Sequence, residues 1–173
     1  STLFPYTTLF RSYTYNNDCL ISRSVINNLT LKGDTDIMNI SESVKYIGVD
    51  DTTIDLFESQ YVVPEGVSYN SYVILDEKIA IMDTVDKRGM KEWEDNLLKT
   101  LDGKKADYVI VQHMEPDHAG SLARLLELFP DITVVGNAKT FVMINQFFEN
   151  INIKDSLTVK EGDTLNLGSH TLT

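Results

Sequence analysis

The spacing of apolar residues changes along the chain, and these changes predict an alternation of strands and helices. Nearly continuous apolar runs predict strands at 71–75, 79–83 and 107–111, with the polar turn 76–78 joining the first two as a hairpin. Runs of this kind are typical of strands that are covered on both faces. We therefore expect these three strands to be buried.

Three other segments have the spacing of amphipathic helices. Their apolar faces are formed by Trp93, Leu97 and Leu98, together with the stem of Lys91; by Leu122, Leu125, Leu126 and Phe129; and by Phe141, Ile144, Phe147 and Phe148. Gly103 and Pro130 follow the first two segments and end the helices there.

Further strands are predicted before and after this helical part of the chain. Residues 44–49 and 132–135 have strand patterns, and residues 56–63 form an extended piece that ends at the break 64–66. Residues 157–160 and 164–167, joined by Glu161-Gly162-Asp163, predict a hairpin. The order is strands, then helix–strand–helix–strand–helix, then strands. It predicts an α/β (α+β layered) fold with helices packed on a mixed sheet.

Composition limits the possible partners and compartment of the protein. The chain has 173 residues, 42% hydrophobic and 24% charged, which is typical of one globular domain. Its net charge of −11 repels phosphate, so neither nucleic acid nor an anionic membrane is an expected partner. It contains no apolar run of about 18 residues. The single cysteine, Cys19, excludes an internal disulfide and fits a cytoplasmic protein.

The amino-terminal segment differs from the rest of the chain. Residues 2–12 match the translation of a common sequencing adapter residue for residue, and they show no amphipathic period. Lys32-Gly33-Asp34 can be encoded by a sequence that resembles a ribosome-binding site, shortly before Met38. We therefore expect residues 1–37 to be a non-native leader and residues 38–173 to be the natural part. Cys19 would then be foreign as well.

The densest chemistry lies directly after the strand at 107–111. Four side chains of the metal-ligand type occupy six positions: His113, Glu115, Asp117 and His118. Imidazole and carboxylate together suit borderline or hard transition metals, and no thiolate is nearby. The alternative is a polar loop in which Asp117 and His118 only cap the following helix. The density of ligands favours a metal site.

The spacing also indicates how these ligands are arranged. Side chains alternate along a strand, so His113, Glu115 and Asp117 are expected on one side and Met114 on the other. Pro116 keeps the backbone of Glu115 extended. His118 and Asp117 are adjacent and diverge, so we expect His113 with Glu115 to serve one metal and Asp117 with His118 a second. The small residues Ala119 and Gly120 let the backbone come close to this site.

The pattern His113-x-Glu115-x-Asp117-His118 resembles the iron-binding motif of flavodiiron proteins, also called A-type flavoproteins, in the metallo-β-lactamase superfamily. Zinc hydrolases of the superfamily typically have a second histidine where this chain has Glu115. The segments 68–72, 78–80, 83–85 and 162–168 also resemble that family, so that the likeness runs from about Tyr46 to Thr173.

The resemblance implies an αββα sandwich with a non-haem diiron site, followed by a flavodoxin-like domain that binds FMN. It implies reduction of dioxygen to water, of nitric oxide to nitrous oxide, or both, in a homodimer or homotetramer with a rubredoxin-like electron donor. His113 and Glu115 would ligate the iron nearer the flavin, and Asp117 and His118 the other iron. An anionic oxygen ligand such as Glu115 also stabilises ferric iron better than a second imidazole would.

The family pattern continues beyond this chain. A further histidine, a bridging aspartate and a last histidine would follow Thr173, and the flavodoxin domain is absent. The chain stops within an apparent strand at 169–173. We therefore expect a truncated fragment with the first half to two-thirds of the sandwich, no FMN-binding residues, no catalytic residues besides the metal ligands, and no turnover alone. His170 is expected on the surface of a strand. The alternative function is a zinc-dependent hydrolase of the same fold.

Overall fold

The computed structural model describes residues 39–57, 59–149 and 151–173. The prediction of a non-native leader at 1–37, with a native start at Met38, concerns residues outside this part of the chain.

The described residues form twelve short strands and four helices. The strands are β1 Val44–Tyr46, β2 Val49–Asp51, β3 Leu56–Phe57, β4 Tyr61–Val62, β5 Val67–Tyr69, β6 Tyr72–Ile74, β7 Ala80–Met82, β8 Tyr108–Ile110, β9 Thr133–Gly136, β10 Asp155–Thr158, β11 Leu165–Asn166 and β12 Thr171–Leu172. The helices are α1 Met90–Leu101, α2 Pro116–Ala119, α3 Leu122–Leu128 and α4 Ala138–Phe147.

Six strands form one mixed sheet in the order β1-β6-β7-β8-β9-β10. The strands β1, β6 and β7 are antiparallel neighbours, whereas β7, β8, β9 and β10 run parallel. Helix α1 connects β7 to β8, and α4 connects β9 to β10, as parallel strands require. The predicted α/β layered fold is confirmed. The parallel strands bring their carboxyl ends to one edge of the sheet, and the site described below lies at that edge.

Alternating residues of the central strands divide the core into two faces. The row Val73, Ile81, Val109 and Val134 belongs to the main buried cluster, which also contains the buried side of α1 and α3. On the other face Ile74, Ala80, Ile110 and Val135 are also buried. The central strands are therefore covered on both faces, as their apolar runs predicted.

The helices agree with their predicted positions, with two local corrections. In α1 the buried residues are Trp93, Leu97 and Leu101, while Leu98 is 43% exposed. Gly103 follows the helix with φ of +78°, the left-handed conformation expected after a helix end. In α4 Phe147 is 60% exposed, so it does not belong to the apolar face that was predicted for it.

The predicted carboxyl-terminal hairpin is wrong. The strand β10 pairs with β9 in parallel at the edge of the main sheet, and β11 pairs with β12 instead. The turn at 161–163 therefore connects two sheets rather than two neighbouring strands. The reason is the βαβ unit: α4 returns the chain in the direction of β9, so β10 extends the parallel sheet. Among the described residues, no helix is both long and apolar enough to cross a membrane.

Candidate metal centre

The first two candidate ligands lie in the loop that continues β8. Met114 is only 6% exposed and belongs to the core, whereas the side chains of His113 and Glu115 are 39% and 52% exposed. The predicted alternation is therefore confirmed for these three residues. His113 Nε2 lies 3.0 Å from Glu115 Oε2, so the imidazole and the carboxylate converge on one point in front of the sheet edge.

The other two candidates lie in the short helix α2. Glu115 precedes it with extended backbone angles, φ −70° and ψ 153°, as expected for a residue before proline. Asp117 and His118 occupy its first turn, so the helix, and not continued strand alternation, places Asp117 at the site. Asp117 Oδ2 lies 3.4 Å from His118 Nε2.

The capping alternative is wrong in its stated form. The residue at the cap position of α2 is Glu115, and no side chain makes a capping hydrogen bond there. Neither Asp117 nor His118 is a cap residue. The polar side chains of this turn therefore have no role in satisfying the start of the helix.

The two pairs lie side by side. The rings of His113 and His118 are 5.2 Å apart between centroids and meet edge to face. Within the part of the chain that the structure describes, no group of three or more His, Cys, Asp or Glu side chains is placed to hold one metal ion. The donors form two pairs, each with one imidazole and one carboxylate. Nitrogen and carboxylate donors of this kind suit iron, as they suit other borderline or hard transition metals.

A fifth residue, Asp83, supports the second pair and was not singled out as a site residue from the sequence. It follows β7, is 5% exposed, and its Oδ2 lies 3.2 Å from His118 Nδ1. A carboxylate on one imidazole nitrogen directs the other nitrogen toward a metal, which is the usual arrangement behind metal-bound histidines. His118 therefore presents Nε2 to the site. The sequence signals were an acidic residue at the end of a buried strand and the family resemblance of the segment 83–85.

The position of Asp83 is fixed by several hydrogen bonds. Its Oδ1 accepts from the backbone N–H of Gln112 at 2.7 Å, and its own N–H donates to the carbonyl of Ile110 at 2.9 Å. Its carbonyl accepts from Ser71 Oγ, which in turn accepts from Trp93 Nε1. Its φ of +54° lies in the left-handed region, which aspartate tolerates better than most residues. These bonds join the carboxylate to the core.

The electrostatics of His118 follow from this contact. The hydrogen bond to Asp83 raises the pKa of His118, and burial of the ring opposes the rise. Asp117 and Glu115 add to it through their negative charge. A site that attracts a proton to His118 in this way also attracts a metal cation, which competes with that proton for the same nitrogen.

The small residue after α2 allows the backbone to pack closely. A β-carbon on Gly120 would lie 2.5 Å from the carbonyl oxygen of Pro116 and 3.0 Å from the backbone nitrogen of Lys87. Thr84 also ties this region together, since its N–H and Oγ1 both donate to the carbonyl of His118. Gly120 therefore packs closely against the loop that follows Asp83, whereas the prediction from the sequence was an approach of the backbone to the metal site.

His170 is separate from this centre. It lies in the turn before β12 rather than within a strand, and its side chain is 32% exposed. Its contacts are Asp76 and Ser43, at the opposite end of β7 from Asp83. The expectation of a surface strand residue is therefore corrected.

The chain is similar to a known family model and to several known proteins. The family model described as "ODP family beta lactamase" matches residues 67–173. The flavo-diiron protein FprA2 of Clostridium acetobutylicum is 35% identical over 135 residues, covering 76% of this chain and 33% of that protein. An anaerobic nitric oxide reductase flavorubredoxin homolog of Escherichia coli O157:H7 is 33% identical, covering 75% of this chain and 32% of its own length.

The chain is also similar to solved structures of flavodiiron-type proteins. The flavodiiron protein from Giardia intestinalis aligns with a TM-score of 0.74 and 28% identity, over 82% of this chain and 34% of that one. The rubredoxin oxygen:oxidoreductase from Desulfovibrio gigas aligns with a TM-score of 0.73 and 30% identity, over 78% of this chain and 33% of that one. The chain spans about a third of the length of the relatives it matches.

Proposed function

The chain belongs to the ODP family of β-lactamase-like domains, within the group of flavodiiron proteins, and on that basis we propose that it is the metal-binding domain of an oxidoreductase. The whole protein would reduce dioxygen to water, nitric oxide to nitrous oxide, or both. The observation that carries this proposal is the pairing of one imidazole with one carboxylate twice, side by side, at the carboxyl ends of the parallel strands.

The proposed ligands are His113 and Glu115 for one iron, and Asp117 and His118 for the other. Each pair provides a neutral nitrogen donor and an anionic oxygen donor, which suit ferrous and ferric iron. Such a centre, when loaded, supplies electrons to a bound diatomic molecule. The two carboxylates partly balance the charge of two metal cations held close together.

The residues of this chain would act mainly by position. Asp83 holds the ring of His118 so that Nε2 faces the site, and the buried side chain of Met114 fixes the loop between His113 and Glu115. The exposed faces of His113 and Glu115 leave room for ligands from outside the described residues and for a small substrate. Preorganised ligands of this kind need little rearrangement when the metal binds.

The remaining parts of the proposal concern the whole protein. We propose FMN as the electron carrier, as the sequence resemblance implies, and a rubredoxin-like donor as a partner; the names flavorubredoxin and rubredoxin oxygen:oxidoreductase among the relatives support a flavin and a rubredoxin. We propose residues 38–173 as the metallo-β-lactamase-like domain of a cytoplasmic protein that forms a homodimer or homotetramer. The net charge of −11 supports the absence of nucleic acid or anionic membrane among its partners.

Metal content is the experiment that tests this function. The whole protein, expressed with iron and zinc both available, should contain about two iron ions per chain, as a binuclear centre requires. In the presence of a reduced electron donor, it should also consume dioxygen, or nitric oxide under anaerobic conditions. Stoichiometric zinc without iron, together with hydrolysis of an ester or phosphodiester, would overturn the proposal in favour of the zinc hydrolase.

A substitution at Glu115 tests more directly whether the site selects iron or zinc. Glu115→His recreates the donor set of the zinc hydrolases, so the ratio of iron to zinc bound in competition should fall. Glu161→His, in the exposed turn 161–163, provides a matched control that should leave the ratio unchanged. An unchanged ratio in Glu115→His would show that Glu115 does not select the metal.

A further inference from the structure

A second group of reactive side chains lies at the other end of the sheet. His170 Nδ1 is 2.6 Å from Asp76 Oδ2, and His170 Nε2 is 3.0 Å from the hydroxyl oxygen of Ser43. The imidazole therefore bridges a carboxylate and a serine hydroxyl. This is the order of contacts in a nucleophilic serine–histidine–aspartate triad.

The carboxylate of this group is held firmly. Its side chain is 5% exposed, and it accepts backbone N–H groups from Glu77 at 2.8 Å, Ser169 at 3.0 Å and His170 at 2.7 Å. These hydrogen bonds, that of Ser169 above all, keep the pKa of Asp76 well below its usual range against the opposing effect of burial. Asp76 is thus a charged acceptor, which places the proton of His170 on Nδ1 and leaves Nε2 to accept from Ser43.

The three residues come from distant parts of the chain. Ser43 precedes β1, Asp76 lies in the turn between β6 and β7, and His170 precedes β12. The strand β7 runs from this end of the sheet toward Asp83, so the group is distinct from the metal centre. No part of the proposed iron chemistry uses it.

We propose that Ser43 is an acylation site, with His170 as its general base and Asp76 as the positioning residue. The Ser43 oxygen attacks the carbonyl carbon of an ester while its proton passes to His170 Nε2. The new bond from carbon to oxygen forms, the bond to the leaving alkoxide breaks, and His170 returns the proton to that leaving group. Water then attacks the ester formed on Ser43, with His170 again as the base, and the acid leaves as Ser43 regains its proton. No oxidant or reductant is needed.

The exposure and the close neighbours of Ser43 bear on the class of substrate. Ser43 and His170 are both partly exposed, so the hydroxyl is accessible from solvent. Ser41 Oγ lies 3.3 Å from Ser43 Oγ, and Gly168 and Ser169 lie against Asp76. A β-carbon on Gly168 would come within 2.6 Å of Asp76 Oδ1. Short, activated carboxylic esters, and the phosphonate reagents that mimic their reaction, can reach the Ser43 hydroxyl from solvent and are the proposed class of substrate.

The test uses the full chain with a fluorophosphonate probe and with p-nitrophenyl acetate. We expect covalent labelling on the peptide that contains Ser43, identified by mass spectrometry, and a burst of nitrophenolate before any steady state. Ser43→Ala should abolish both. Ser156→Ala, an exposed serine on β10, is the matched control and should label like the unmodified chain.

Two further variants test the roles of the other members. His170→Gln should slow labelling by about 100-fold or more, which is the usual share of a general base. Asp76→Asn should also slow labelling and should remove the strongly deshielded Nδ1 proton from the NMR spectrum. Ser43→Ala should keep that proton resonance, because the bond from Asp76 to His170 does not involve the serine.

Two results would overturn the proposal. One is the absence of labelling in the unmodified chain, which would leave the group as a structural tie between the turn at β1 and the hairpin β11–β12. The other is equal labelling in the unmodified chain and Ser43→Ala. Since Ser43→Ala removes only one partly exposed hydroxyl, its circular dichroism should match the unmodified chain and show that a loss of labelling does not come from unfolding.

Discussion

Each end of the sheet carries a histidine that a buried carboxylate orients, and we propose different chemistry for the two ends. At the carboxyl ends of the parallel strands Asp83 contacts His118 Nδ1 at 3.2 Å, and at the opposite end Asp76 contacts His170 Nδ1 at 2.6 Å. Both carboxylates are about 5% exposed. In each case a buried acid orients an imidazole. The difference lies in what the second nitrogen faces.

That second partner determines the chemistry. His118 Nε2 faces the carboxylate of Asp117, with the pair His113 and Glu115 beside it, so negative charge and nitrogen donors accumulate where a cation would bind. His170 Nε2 faces one neutral hydroxyl, that of Ser43, which has a proton to give. We therefore propose that an oriented histidine serves as a metal ligand at one end and as a base at the other, depending on its neighbour.

The largest difference between the two ends should appear when the histidine of each end is removed in turn. His118→Ala should lower the affinity for ferrous iron by more than about 100-fold, since loss of a direct ligand should exceed the usual effect of losing its supporting partner. His170→Ala should leave iron binding unchanged. Iron retained after anaerobic dialysis measures both, and equal losses in the two variants would contradict the separation of the two ends.

The next effect concerns the orienting acids. Asp83→Asn should weaken iron binding by about 10- to 100-fold, because a neutral amide holds His118 less well than a carboxylate. Asparagine also tolerates the left-handed backbone at this position, so the loop should keep its shape. The control is Asp76→Asn at the other end, which should bind iron normally. Competition with a ferrous chelator gives the affinities.

Acid should distinguish Asp76 from an ordinary surface acid. Its pKa is lowered in the folded protein, so its charged form stabilises the fold above the unfolded pKa of about 3.9. This contribution is lost as the pH falls through that value toward the folded pKa. The metal-free chain should therefore have a larger free energy of unfolding in urea than Asp76→Asn, and this difference should become smaller as the pH is lowered. The exposed Asp102→Asn provides the control, and a difference that stays constant with pH would refute the prediction.

The smallest effect is expected for the ion pair near Asp76. Lys78 Nζ lies 2.9 Å from Asp107 Oδ1, but the lysine side chain is 55% exposed. Asp107 also accepts the backbone N–H of Ile79 through Oδ2, so it keeps a partner when the lysine is removed. Lys78→Met should therefore change the thermal midpoint little, since exposed ion pairs contribute little. A large loss would show that this end depends on surface charge more than on buried hydrogen bonds.

Local features of the sequence predicted much of the metal end. Strand alternation predicted the pairing of His113 with Glu115 and the burial of Met114, and the proline rule predicted the extended backbone of Glu115. All of these depend on neighbours within a few positions. The resemblance to flavodiiron proteins rests on the same short motif, and the structural comparisons confirm it.

Long-range features were not predictable in the same way. Asp83 meets His118 only because β7 and β8 pair in parallel, and no local pattern specifies that register. Asp76 and His170 are 94 positions apart. The error at the carboxyl-terminal hairpin has the same origin: the turn at 161–163 has local hairpin chemistry, but the pairing of β10 is decided by β9.

The parallel pairing of β7 with β8 also has a consequence for the order of assembly. It brings Ala80 beside Tyr108 across the crossover helix α1, and with them Asp83 and His118, which are 35 positions apart. The contact of Asp76 with His170 closes a much longer loop, because these residues are 94 positions apart. Because shorter loops close at lower entropic cost, we expect the metal end to form first during folding. A nascent chain would then have its four proposed metal ligands in place before the hairpin β11–β12 docks.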